Sequence, residues 1–111
     1  MGVFKPYEEE VLDLLASSVL SAEQIAAVKE EGIQLQDHHT GCGYFFSVTH
    51  PCLPLNRSVC HTPLVVGNAE GIECSFLVFI EKGHLTIECA TAGLESIPLN
   101  FRNLNVRVSA P

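Results

Sequence analysis

Seven side chains able to ligate a metal or act as nucleophiles fall within 24 residues: His38, His39, Cys42, His50, Cys52, Cys60 and His61. Imidazole and thiolate are the usual zinc ligands, and a closed site would need four of these to converge from two turns and a loop. The spacing argues against that, because there is no Cys-x-x-Cys pair and the nearest substitute is His39-x-x-Cys42. Exposed histidines and buried thiols are the expected outcome, with no metal and no cofactor. Cys42, between Gly41 and Gly43, is the best-placed nucleophile, with His38 or His39 across the same turn as a base. Only Asp37 stands where it could orient that imidazole, and two glycines around a cysteine serve a turn whatever the cysteine does. A metal-binding or cysteine-dependent enzyme built on residues 38–61 is therefore the alternative expectation, and no catalytic or metal residue is assigned. Gly41 and Gly43 also suggest a phosphate loop, but no helix follows whose N-terminus would hold the anion.

A second constellation joins Glu73, Glu81, His84 and Glu88 with Leu77 and Phe79. Paired carboxylates beside a histidine could transfer protons, although an exposed sheet face carries such groups for solubility. The two apolar residues among them point instead to a contact surface, or to a face partly covered by helices. Cys74 and Cys89 are expected inside, diagonal to each other, as packing residues.

The elements that must position these groups are two helices followed by strands. Pro6 suits the first position of a helix, and Glu8, Glu9 and Glu10 place negative charge in its first turn, where unpaired N–H groups favour it. Tyr7, Val11, Leu14, Leu15 and Ser18 keep helical spacing, which turns Glu9, Glu10 and Asp13 outward. Ser21 and Gln24 form a capping box, so a second helix runs from about Ala22 to Glu31, closed by Gly32 in a left-handed conformation. Period-two patterning then gives a strand from Ile33 with one wet face and another over Tyr44–His50. A run over Val59–Val66 is interrupted by Pro63, either as an edge strand or as two pieces. Ile72–Glu81 and His84–Thr91 form a hairpin about Lys82-Gly83, with Ile80 opposite Leu85. After a loop over Ala92–Asn103, Leu104, Val106 and Val108 alternate in a last strand. The expected fold is a single α+β domain over residues 1–111, its two N-terminal helices packed on a mostly antiparallel sheet of five or six strands.

The chain is 47% hydrophobic and 17% charged, which supplies a core and excludes disorder. Its formal charge is −7, and eight of the thirteen acidic residues lie before His38. That field disfavours nucleic acid and leaves a basic protein as a partner. No apolar run is long enough for a membrane helix, and residues 1–10 lack a secretory pattern, so a cytoplasmic protein is expected. Low charge with a positive mean hydropathy also makes a homodimer plausible.

The segments Thr40-Gly41-Cys42-Gly43-Tyr44-Phe45-Phe46, Phe76 to Cys89 and Ile97-Pro98 resemble a group of small uncharacterised bacterial proteins over about half the chain. Their shared pattern is a glycine-aromatic strand, an apolar strand, a glycine turn and a Leu-x-x-Glu-Cys strand. Candidates for toxin-neutralising partners occur in this group, so the resemblance implies a protein-binding role and brings no catalytic residue. The resulting expectation is a protein-interaction module, as an immunity-like inhibitor of a basic partner would be. Its interaction residues are Glu9, Glu10, Asp13, Glu30, Glu31, Leu77 and Phe79.

Overall fold

The computed structural model describes residues 2–91 and 96–110. Two helices, α1 (Pro6–Leu15) and α2 (Ala22–Glu31), precede six strands: β1 (Ile33–His39), β2 (Gly43–Thr49), β3 (Ser58–Ala69), β4 (Ile72–Glu81), β5 (His84–Thr91) and β6 (Arg107–Ser109). The strands form one sheet in the order β1-β2-β5-β4-β3-β6, and every pairing is antiparallel. The helices pack on one face, which is the expected α+β architecture.

Local signals account for most boundaries. Pro6 opens α1, and the Glu8 side chain reaches back 2.8 Å to the Lys5 amide. Ser21 caps α2 through the Gln24 amide at 3.1 Å, while Gln24 accepts from the Ser21 amide at 2.8 Å. At the β4–β5 turn Lys82 and Gly83 both have positive φ (54° and 76°), which suits a two-residue hairpin and sets Ile80 opposite Leu85. The inward residues Phe46, Val48, Phe76, Val78, Ile80, Leu85 and Ile87 are buried together with Val11, Leu12, Leu15 and Val28.

Four local expectations need correction, and one open alternative, at Pro63, is resolved. Ser18 does not continue α1: the helix ends at Leu15, and Ala16–Ser18 form a 3-10 turn. Gly32 is not left-handed; with φ −59° and ψ 136° it leads directly into β1, and its role is steric, since a Cβ there would lie 2.6 Å from the Val28 carbonyl oxygen. β1 is an outer strand that is exposed except at His39, with a bulge between Gln34 and Gln36 that breaks the simple alternation of Ile33 and Leu35. Pro63 does not divide β3, because Cys60 pairs with Val78 and Val65 with Phe76, so residues 61–64 bulge out opposite Leu77. A bulge asks no ladder hydrogen bond of Pro63, whose bond to Thr62 is cis. Of the last expected strand only Arg107–Ser109 pairs, with the C-terminal part of β3. Within the expected loop, Phe101–Asn103 form a 3-10 turn that buries Phe101, while 92–95 fall outside the described residues. Among the described residues no helix is long and apolar enough to cross a membrane.

Candidate functional site

Strand alternation puts Leu77 and Phe79 on the sheet face opposite the helices. The register builds rows across that face. Leu77 stands beside Glu88 and then Phe45; Phe79 stands beside Thr86 and then Ser47; Glu81 stands beside His84 and then Thr49. Phe45, Leu77 and Phe79 are half-buried by their neighbours, while Glu73, Glu81 and His84 are exposed at the margins. Within the Phe79 row, Ser47 and Thr86 share a hydrogen bond of 2.9 Å. Both helices lie on the other side, so helical cover of this face is excluded.

The carboxylates expected to bind a partner are on the helical side and make no continuous surface with Leu77 and Phe79. Asp13 pairs with Lys29 at 2.7 Å, and Glu31 with His50 at 2.9 Å. Glu30 also has an interaction partner. Glu10 is exposed and Glu9 half-buried.

The histidines and cysteines of residues 38–61 are distributed over the fold. His39 accepts from the Gly41 amide through Nδ1 at 3.1 Å, and its Nε2 lies 3.2 Å from the Pro98 carbonyl oxygen, an arrangement that requires the Nε2–H form. His50 is held likewise, with Nδ1 accepting from the Cys52 amide and Nε2 on Glu31. Of the two expected bases toward Cys42, His39 is held by its own turn, while His38 is exposed on β1 beside Phe45; Cys42 itself is exposed at the turn. Burial pushes the Cys52 and Cys60 thiols above their ordinary range, away from the reactive thiolate. Among the described residues no three His, Cys, Asp or Glu side chains are arranged to hold a metal ion.

Cys74 and Cys89 face inward, diagonal to each other, and both are free thiols. A hydrogen bond to Cys74, reinforced by burial, raises the Cys89 thiol far above its ordinary range.

Sequence reasoning missed a buried polar cluster. Glu8 has no solvent exposure, and its carboxylate takes two hydrogen bonds from Arg102, Nη2 to Oε1 at 2.8 Å and Nε to Oε2 at 2.9 Å. Tyr44 donates to the same Oε2 at 2.7 Å. The Tyr7 hydroxyl lies 2.8 Å from that of Tyr44 and 2.9 Å from the Arg102 carbonyl oxygen. Tyr44 spends its proton on Glu8, so the Tyr7 proton is shared between the other two contacts. Burial, then the Glu8 charge, raises both tyrosines well above the phenol range. Burial opposes the Arg102 charge, but hydrogen bonding and attraction to Glu8 outweigh it and raise its value. The guanidinium also lies 3.6 Å from the Phe46 ring centroid, donates to the Val3 carbonyl and reaches Asp37 at 3.5 Å. Among the described residues no buried side-chain polar atom lacks a partner. With Glu8 sealed from solvent, the cluster joins α1, β2 and the segment after residue 100 and offers no group to a substrate. The capping position of Glu8 is visible in the sequence, but nothing in the sequence links it to Arg102, 94 residues away.

Comparison with family models, with curated proteins and with solved structures finds no match to this chain.

Proposed function

We propose that this chain is a protein-interaction domain whose open sheet face holds a basic protein partner. The observation that carries this reading is a row structure with Phe45, Leu77 and Phe79 on a face that no described element covers, Glu88 between Leu77 and Phe45, and Glu81 and His84 exposed at the margin. Apolar anchors inside a polar rim are the usual composition of a protein contact, and aromatic side chains dominate its energetics. The formal charge of −7 supplies a field that speeds encounter with a basic surface. The helical carboxylates Glu9, Glu10, Asp13, Glu30 and Glu31 would contribute to that field at a distance, without contact. Neutralising a basic toxin, as the resemblance implied, is the form of this role we propose.

The test is retention of a basic protein on immobilised chain, compared with the Leu77→Asp and Phe79→Asp variants. Retention should fall by at least about tenfold in each variant, with thermal unfolding little changed, because these side chains lie outside the helix-side core. Rising salt should slow association. If Glu9→Gln with Glu10→Gln abolishes retention while the sheet variants bind normally, the helices are the surface and the sheet proposal fails.

A further inference from the structure

Next to the Leu77–Phe79 patch, the same face ends in a corner formed by β4, β3 and β6. There the register places Glu73 opposite Asn68 and Asn68 opposite Arg107, a row of acid, amide and base across three adjacent strands. The following row is Ser75, Val66 and Ser109. Glu73 and Arg107 are two strand spacings apart, about 10 Å, too far to meet each other. Both are exposed, and neither has an ion-pair partner among the described residues. Together with Leu64, which is 58% exposed, and Val66 they line an open groove of about 430 Å³.

We infer that this corner pairs with a second copy of the chain across a two-fold axis running along β3. Such an axis lies in the plane between two facing sheets and exchanges left with right across the strands. It therefore sets each Glu73 over the partner's Arg107 and returns each Asn68 to its counterpart. The arrangement is self-complementary because acid and base stand at equal distances on either side of Asn68.

β6 ends at Ser109, opposite Val66, so the rows of Leu77 and Phe79 lie beyond the overlap and stay open to another protein. The self-pairing is thus separate from the basic partner proposed above. An overlap three strands wide covers on the order of 400 Å² per copy, about half the usual share for a stable complex, so a reversible dimer is expected.

Sedimentation equilibrium on the intact chain, from about 5 µM to about 500 µM, reads the mass directly. The wild type should move from monomer to dimer over that range, and the transition should shift to higher concentration with salt. Glu73→Arg and Arg107→Glu, each presenting like charges at both symmetry-related contacts, should each weaken self-association by at least about tenfold. An equimolar mixture of these two variants should form a heterodimer, because each brings the charge the other lacks. The double variant Glu73→Arg with Arg107→Glu should recover the homodimer. Circular dichroism confirms that each surface variant is folded. A wild type that stays monomeric, growth into open-ended assemblies, or charge variants that associate as the wild type does would each overturn the pairing. None of these outcomes alters the test on Leu77 and Phe79, which reads a different protein's retention.

Discussion

At the scale of single residues, the Glu8 cluster is the feature with the largest energetic consequence. Its two charges are unequally placed, Glu8 with no exposure and the Arg102 side chain 12% exposed, so removing the arginine strands a carboxylate in the core. Arg102→Ala should destabilise the fold by about 3–5 kcal/mol, measured by urea unfolding, because breaking such a pair costs far more than its net value when intact. A second consequence concerns the only two tyrosines in the chain, Tyr7 and Tyr44. Each has its native value raised above the ordinary 10.0, so the folded state holds protons that the unfolded state releases. Their contribution to stability is therefore complete below pH 10 and is lost as pH rises through the window above it. Phenolate absorbance should appear together with loss of the circular dichroism signal; phenolate forming near the ordinary value in a still-folded protein would contradict the buried placement.

At the scale of elements, legibility followed the range of the interaction. The start of α2 was readable because its cap lies within three residues of sequence, and the β4–β5 hairpin because its turn and its apolar alternation agree. The bulge of residues 61–64 was not, because its cause is a pairing with β4 that only the folded sheet supplies. The exposure of β1 was equally hidden: Ile33 and Leu35 resemble a half-buried strand, yet the strand falls at the sheet's border, where a bulge also discourages further pairing. The Gly-Cys-Gly turn divides its labour. Gly41 adopts φ 97°, and Gly43 packs so closely on β5 that a Cβ would run into the Cys89 carbonyl oxygen. Gly43→Ala should therefore force β2 from β5 and lower the thermal midpoint by at least about 5 °C, a larger loss than the exposed Cys42→Ser should cause.

At the scale of the whole molecule, composition indicated a negatively charged domain with apolar surface to spare, and the fold divides those two properties between opposite sides. The helical side carries much of the charge, partly neutralised by Lys29 at Asp13. The sheet side carries the half-buried Phe45, Leu77 and Phe79. The sequence could indicate that Leu77 and Phe79 share a face with Glu73, Glu81 and Glu88, since strand alternation alone decides that. It could not indicate whether the helices cover that face, because packing between layers is set by three-dimensional closure. The candidate site was therefore half legible: its members were, and its openness was not. Binding through the sheet should accordingly show two separable dependences, the encounter rate on ionic strength and the dissociation rate on the aromatic anchors, which stopped-flow mixing at two salt concentrations would resolve.

The joining of Glu8 to Arg102 also bears on how the chain comes into being. Helix α1 is made before the strands, but its buried carboxylate has no counter-charge until Arg102, 94 residues further on, has been added. A nascent chain can set the β4–β5 hairpin in order while still attached to the ribosome, yet the first helix cannot close over the sheet at full strength before Arg102 is free. Synthesis that stops short of that residue yields a product whose first helix carries a carboxylate without the counter-charge it is buried against.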